Sequence, residues 1–204
     1  MNKWKVSLFY HFESNAQCGN VLGLWYKCGV GNNNMAIIVT NYMFENIHYS
    51  NVDFIGGAVG INQETSIKNT HITVTGTTFK NVSSVHGGSA ICFSVDSAQL
   101  NVENNTFIDC KSTNNNCKGG AILIELKQAM PDIVIKDCSF QSTVSNNPSK
   151  GNAISLIQIV GSNILTIDNC NFLNCGINGV VVYASLKQFV VTGASIDFTK
   201  NTDG

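Results

Sequence analysis

The feature that most constrains this 204-residue chain is a phenylalanine that recurs every 26–35 residues. The recurring positions are Phe12, Phe44, Phe79, Phe107, Phe140, Phe172 and Phe198. Apolar residues stand seven and five positions before most of them, as Ile72 and Val74 do before Phe79. This spacing is the period-two pattern of a short β-strand. Three positions before the phenylalanine stand residues that tolerate positive φ, which predicts a sharp corner there. The predicted corner residues are Asn41, Gly76, Asn104, Asp137 and Asn169.

A glycine-rich segment follows most of the phenylalanines and opens a second apolar run, with Gly57, Gly88 and Gly120 as its recurring members. Five units fit this pattern over residues 34–184. The register fails before Phe12 and before Phe198. We therefore predict an irregular N-terminal coil or cap remnant over residues 1–33, β-helix repeats over 34–184 and an incomplete terminal coil over 185–204.

The repeat length and its period together select one fold. Helical repeats of similar length have 3.6-residue patterning, and a four-stranded propeller blade needs about 40–45 residues. The remaining solution is an all-β, right-handed parallel β-helix, a pectin-lyase-like solenoid of about five to six coils. We expect the right-handed form because parallel crossovers have that hand.

The composition agrees with stacked coils. The chain has 27 asparagines, no arginine and only 12% charged residues. Equivalent side chains in a β-helix lie about 4.8 Å apart, so that stacked like charges repel while stacked asparagine amides can hydrogen-bond. The net charge of −1 and the missing arginine argue against nucleic acid as a partner.

The paired motifs carry a family resemblance. Gly119-Gly120-Ala121-Ile122 is an intact GGAI tetrapeptide, and Phe-Glu-Asn and Phe-Lys-Asn begin at Phe44 and Phe79. These motifs resemble the GGAI and FxxN repeats of chlamydial polymorphic outer membrane proteins, which are also found in surface proteins of some protist parasites. The resemblance implies a cell-surface or extracellular module, often an adhesin.

The eight cysteines allow more than one reading. They stand at positions 18, 28, 92, 110, 117, 138, 170 and 175. Cys138 and Cys170 both lie two positions before a ladder phenylalanine, so they should stack in adjacent coils. A disulfide between them and a pair of buried thiols both fit that position. The pairs Cys110/Cys117 and Cys18/Cys28 flank loops and can each bridge in an oxidising compartment.

Catalytic and metal-binding signals are weak. A pectate-lyase-type site needs an arginine base and clustered carboxylates, and the sequence has neither. The terminal Asn201-Thr202-Asp203-Gly204 matches one polygalacturonase motif, but no Asp-Asp pair accompanies it. No spacing of Cys and His is typical of zinc.

We therefore predict a non-catalytic surface or secreted β-helix module for adhesion or surface structure. We expect no cofactor, no metal and no membrane span, and a host or cell-surface protein or glycan as partner. A carbohydrate-active β-helix enzyme and an inactive fragment of a larger surface protein are the alternatives.

Overall fold

The computed structural model describes residues 12–13, 22–26, 35–50, 57–63, 70–95, 98–126, 133–147, 151–158, 164–176, 181–185 and 188–197. Every regular element in these ranges is a β-strand. The strands are β1 Phe12–Glu13, β2 Leu22–Tyr26, β3 Met35–Thr40, β4 Met43–Tyr49, β5 Val59–Gln63, β6 Thr70–Thr75, β7 Thr78–Ser84, β8 Ile91–Val95, β9 Ala98–Glu103, β10 Thr106–Ile108, β11 Lys111–Ser112, β12 Ile122–Leu126, β13 Ile133–Lys136, β14 Ser139–Gln141, β15 Val144–Ser145, β16 Ile154–Gln158, β17 Ile164–Asp168, β18 Asn171–Leu173, β19 Val182–Ser185, β20 Gln188–Thr192 and β21 Ser195–Asp197.

The strands form three parallel sheets that the chain visits in turn. Sheet A has the order β1-β4-β7-β10-β14-β18-β21, and β11 pairs with both β7 and β15 at its side. Sheet B has the order β2-β5-β8-β12-β16-β19, and sheet C the order β3-β6-β9-β13-β17-β20. The chain passes through C, then A, then B in each coil, and two coils contribute a second short strand to A, β11 and β15. The predicted all-β parallel solenoid is confirmed.

A stack of phenylalanine rings forms the centre of the core. Phe44, Phe79, Phe107, Phe140 and Phe172 are each at most 1% exposed. Their successive ring centroids lie 5.2, 5.1, 4.6 and 4.8 Å apart, and the ring planes differ by at most 11°. Because the strands pair in register, the identical residues necessarily lie above one another. Because the phenylalanine recurs once in each coil, each ring packs against the ring of the next coil.

The last coil departs from the predicted alignment. Phe172 pairs with Ile196 and not with Phe198, which lies outside the described residues. Counted from Ile196, Phe189 and Val191 stand seven and five positions before, and Gly193 (φ +60°) stands three before. Anchoring the final unit on Phe198 was therefore wrong. The backbone register continues through residue 197, with Ile196 at the position that phenylalanine occupies in the preceding coils.

At the N-terminal side, Phe12 pairs with Phe44 as aligned, while the residues before it lie outside the described ranges. The division of the chain at residues 33 and 184 stays a prediction. Strands β1, β2, β20 and β21, from the two predicted flanks, belong to the same three sheets as the central repeats.

The corners take the backbone conformation expected of their residue types. Asn41, Gly76, Asn104, Asp137 and Asn169 have φ between +48° and +62°. A second corner lies two residues after each ladder phenylalanine, with φ between +52° and +58°. It consists of Asn46, Asn81, Asp109, Ser142 and Asn174. Asparagine and aspartate dominate both corners, because they enter the left-handed region at less cost than other non-glycine residues.

The repeated glycines allow one coil to lie directly on the next. A Cβ on Gly57 would lie 2.3 Å from the Gly88 carbonyl oxygen, and one on Gly120 would lie 2.0 Å from that of Asn152. Gly88 also has φ +65°. The glycine motif is therefore a place of close backbone approach between coils.

Candidate functional site

The polar side chains of the described coils are largely arranged in columns along the solenoid. In one column on sheet C, Lys136 pairs in register with Glu103 on one side and Asp168 on the other. The Lys136 Nζ lies 4.0 Å from an Asp168 carboxylate oxygen. On sheet A, Lys80 donates to Glu45 at 2.6 Å, which raises the pKa of Lys80. Charge thus alternates between neighbouring coils in the sheet C column, as the predicted penalty on stacked like charges requires. On sheet A it alternates from Glu45 to Lys80, but Glu13 pairs in register with Glu45, so two like charges are neighbours there.

Asparagines form the other columns at the corners. The Asn81 amide donates to the Asn46 side-chain oxygen at 2.6 Å, and the Asn169 amide donates to Asp137 at 2.6 Å. The predicted hydrogen bonding of stacked asparagines is therefore present between Asn81 and Asn46, and at the other corner an aspartate takes the place of one asparagine. Asn41, Asn104 and Asn169 are exposed corner residues. Their positions account for them as structural residues of the repeat.

A cleft of about 190 Å³ interrupts this regular surface. It lies over the outer side of sheet B, between the turn after β7 and the loop that joins β11 to β12. Val85 and Leu123 supply its apolar lining. Its polar lining consists of His86, Asn114, Asn116, Cys117, Lys118 and Glu125. Several different polar side chains converge there on an apolar patch, which is the usual composition of a small-ligand site.

The loop that forms one wall is held to the preceding coil. The Thr113 N–H donates to the Ser84 carbonyl at 2.8 Å, and the Cys117 thiol contacts the Val85 carbonyl at 2.9 Å. Within the loop, the backbone N–H groups of Asn116 and Cys117 both donate to Asn114, each at 3.0 Å. These bonds give the loop a defined shape although its asparagines are exposed.

The charges of the cleft offset one another. The Lys118 Nζ lies 4.0 Å from a Glu125 carboxylate oxygen. Glu125 is the carboxylate among the described lining residues. Hydrolysis of a glycosidic bond uses two carboxyl groups on opposite sides of the bond. The cleft therefore offers one cationic and one anionic hydrogen-bonding group. Its described lining does not contain a pair of carboxylates that could act as acid and base.

Cysteine chemistry in the cleft is suppressed by burial. Burial raises the pKa of the Cys117 thiol, although a hydrogen bond from the Asn114 backbone partly opposes the shift. Cys92 lies on the outer side of β8 in register with Leu123 and is fully buried. Burial raises the pKa of Cys92 as well, with smaller effects of Glu125 and Cys117. Because the thiolate is the reactive form, neither sulfur is a strong nucleophile at neutral pH.

The remaining cysteines fall into two inward columns. Cys138 and Cys170 stack in adjacent coils and are free thiols, and each contacts backbone carbonyls, of Val102 for Cys138 and of Ile135 for Cys170. Cys110 and Cys175 share a column three residues after the phenylalanine, with the buried Thr143 between them.

The loop pair Cys110/Cys117 is not joined. The Cys110 sulfur contacts the Phe79 carbonyl at 3.8 Å in the core, while the Cys117 sulfur is directed at Val85 outside it. The alternative loop pair, Cys18 and Cys28, lies outside the described residues, and so does Asn201-Thr202-Asp203-Gly204.

Sequence reasoning did not identify the cleft. The sequence pattern does not single out His86, and the residues between Cys110 and Cys117 indicate only a loop. The run of six polar residues between Cys110 and Cys117 was a usable signal, because it lies between the phenylalanine strand and the glycine motif. Only the folded chain shows that the loop lies over sheet B.

Two classes of site are not found in the described part of the chain. No three His, Cys, Asp or Glu side chains are grouped so that they could hold a metal ion there. No helix in those ranges has the length and hydropathy needed to cross a membrane. Comparisons with protein-family models, curated proteins and solved structures found no match to this chain.

Proposed function

We propose that this chain is a non-catalytic surface or secreted β-helix module that serves adhesion, and that its cleft holds one unit of a neutral glycan. The observation that carries the proposal is the composition of the cleft. A cation and an anion lie 4.0 Å apart beside two exposed asparagines, over an apolar floor. Such a surface has little net charge and many donors and acceptors.

These features favour a ligand rich in hydroxyl groups. A sugar presents hydroxyls that both donate and accept, and it also has an apolar C–H face. The cleft can hydrogen-bond to such hydroxyls in both directions. The side-chain amide of Asn116 both donates and accepts, the ammonium of Lys118 donates, and the carboxylate of Glu125 accepts. Leu123 is only 6% exposed and can lie under the C–H face. An anionic ligand would be repelled by Glu125, and a cationic ligand would be repelled by Lys118.

The solenoid supplies the rigidity that a binding loop needs. Sheets A, B and C stack coil on coil in register, and the loop that bears Asn114 and Asn116 is hydrogen-bonded to the preceding coil. A preformed site loses less conformational entropy on binding than a mobile one.

A glycan array with the labelled chain tests the proposal. We expect retention on neutral glycans, weakened several-fold by Asn116→Ala and unchanged by Asn171→Ala, an exposed asparagine on sheet A. Retention only on a protein surface would replace the glycan by a protein partner. Release of reducing sugar from a polyuronide would overturn the non-catalytic assignment.

Antibody labelling of intact, unpermeabilised cells tests the surface location, and a purely internal signal would contradict it.

A further inference from the structure

The column two residues before each ladder phenylalanine changes character along the solenoid. In an earlier coil of this column, the Asn105 side chain hydrogen-bonds to the preceding coil. The Thr77 N–H donates to the Asn105 side-chain oxygen at 2.9 Å, and the Asn105 amide donates to the Val74 carbonyl at 2.8 Å. In the next two coils the same position is occupied by Cys138 and Cys170. The two thiols therefore stand where the fold elsewhere places a polar link between coils.

The backbone brings these two cysteines to a bonding separation. Ser139 pairs with Asn171 in register, and the Asn171 N–H donates to the Cys138 carbonyl at 2.9 Å. Adjacent strands are about 4.8 Å apart, and disulfides span Cα separations of roughly 4.4–6.8 Å. No backbone movement is needed to join them.

The two side chains are also neighbours. Their interaction raises the pKa of Cys138 and lowers that of Cys170. Both residues are at most 2% exposed. Each sulfur also contacts backbone carbonyls, of Val102 for Cys138 at 3.6 Å and of Ile135 for Cys170 at 3.5 Å. The pair is thus confined to one inward position.

We propose that Cys138 and Cys170 are a redox modification site, joined by a disulfide between adjacent coils when the chain folds in the presence of a low-molecular-weight disulfide. One thiolate first attacks the reagent, forming a mixed disulfide and releasing one thiol. The second cysteine then attacks the mixed disulfide, and the second reagent thiol leaves. One reagent disulfide is reduced to two thiols while the two cysteines are oxidised and lose two protons. The reaction takes place during folding, when both sulfurs are still accessible.

The other described cysteines lack this arrangement. Cys110 and Cys175 are two coils apart, roughly 10 Å, which exceeds the disulfide range. Cys117 is directed at the Val85 carbonyl on the outer side. The structure therefore assigns one specific pair in the two inward columns.

Peptide mapping of the full chain tests the proposal directly. The chain, as the Cys110→Ala/Cys175→Ala variant, is refolded in reduced and oxidised glutathione, alkylated and digested with trypsin. Cleavage at lysine then yields fragments 137–150 and 151–187, which each contain a single cysteine. We expect these two fragments to be found as one disulfide-linked species, which reductant separates. Recovery of both fragments alkylated, or of glutathione on both, would overturn the proposal.

A thermal measurement provides a second test that does not depend on digestion. The bond closes a loop of about 33 residues, for which loop entropy predicts a rise in Tm of roughly 5–15 °C on oxidation. The Cys138→Ala variant should show no such rise, and alanine suits the site because Ala194 occupies the same column in the last coil. An equal rise in Cys138→Ala would assign the effect to other cysteines and refute the proposal. Glycan retention is measured separately on the reduced chain, so either proposal can fail alone.

Discussion

Replacing Phe107 by alanine should be among the most destabilising single changes in the chain. The ring is fully buried and stacks on Phe79 at 5.1 Å and on Phe140 at 4.6 Å. A buried Phe→Ala change typically costs about 3–5 kcal/mol, because apolar burial is lost and a cavity remains. Two stacking contacts, each worth about 0.5–1.5 kcal/mol beyond burial, bring the expected loss to about 4–8 kcal/mol. That is a large share of the roughly 5–15 kcal/mol by which domains are stable.

The measurement is urea unfolding followed by far-UV circular dichroism, with Phe107→Leu as the matched control. Leucine keeps most of the apolar contact and loses the ring stacking, so we expect a loss of about 1–2.5 kcal/mol. The column already accepts Ile196 in its last coil. A loss below about 1 kcal/mol for Phe107→Ala would refute the conclusion that this stack is the centre of the core.

A double-mutant cycle separates stacking from burial. Leucine at both Phe107 and Phe140 should show a coupling of about 0.5–1.5 kcal/mol, because these rings are direct neighbours. Leucine at both Phe79 and Phe140, which are separated by the ring of Phe107, should be additive within about 0.5 kcal/mol. Equal coupling in the two cycles would contradict a nearest-neighbour ladder.

Three further predictions concern the corners, the charge columns and the buried thiols. Asn104→Ala should lower stability by about 1–2 kcal/mol, because Asn104 has φ +57°, while Asn104→Gly should be nearly neutral; thermal melts of the two variants check this difference. Lys136→Glu should destabilise more than Lys136→Gln, because it places a third carboxylate between two others in one column, and added salt should reduce the difference in urea midpoints. Burial raises the pKa of Cys110 to about 12 from an ordinary 9.0, so its contribution to stability is intact below pH 9 and is lost as the pH rises toward 12. The variant Cys110→Val should therefore reduce the pH slope of stability in that window by up to about 1.4 kcal/mol per pH unit, and an unchanged slope would show that the thiol does not ionise on unfolding.

The strands and the corners could be predicted from the sequence because they depend on local preferences repeated many times. A parallel stack in register presents the same environment to the same position in every coil, so one preference appears six or seven times in one chain. Single exceptions were misjudged. Ile196 was overlooked because an aliphatic residue can replace phenylalanine in the ladder, and a pattern search anchored on one residue type cannot recognise that exchange.

The candidate site was not predictable in this way, because it depends on contacts that occur once. The cleft arises where the loop around Asn116 lies over the outer side of sheet B, and nothing in the loop's own sequence specifies that surface. The state of the cysteines is similar. The spacing placed Cys138 and Cys170 in neighbouring coils, but whether the two sulfurs face each other depends on side-chain directions that only the packed core imposes.

The sequence by itself therefore determined the parallel solenoid, its coil length, its phenylalanine ladder and the corner before each phenylalanine. Each local preference is weak, but the same preference is repeated in coil after coil, so the repeats together predict the structure. The tertiary structure alone decided which residues converge in the cleft and which thiols meet. Those arrangements depend on how one loop and two side chains pack against neighbouring coils, and packing is a property of the whole chain.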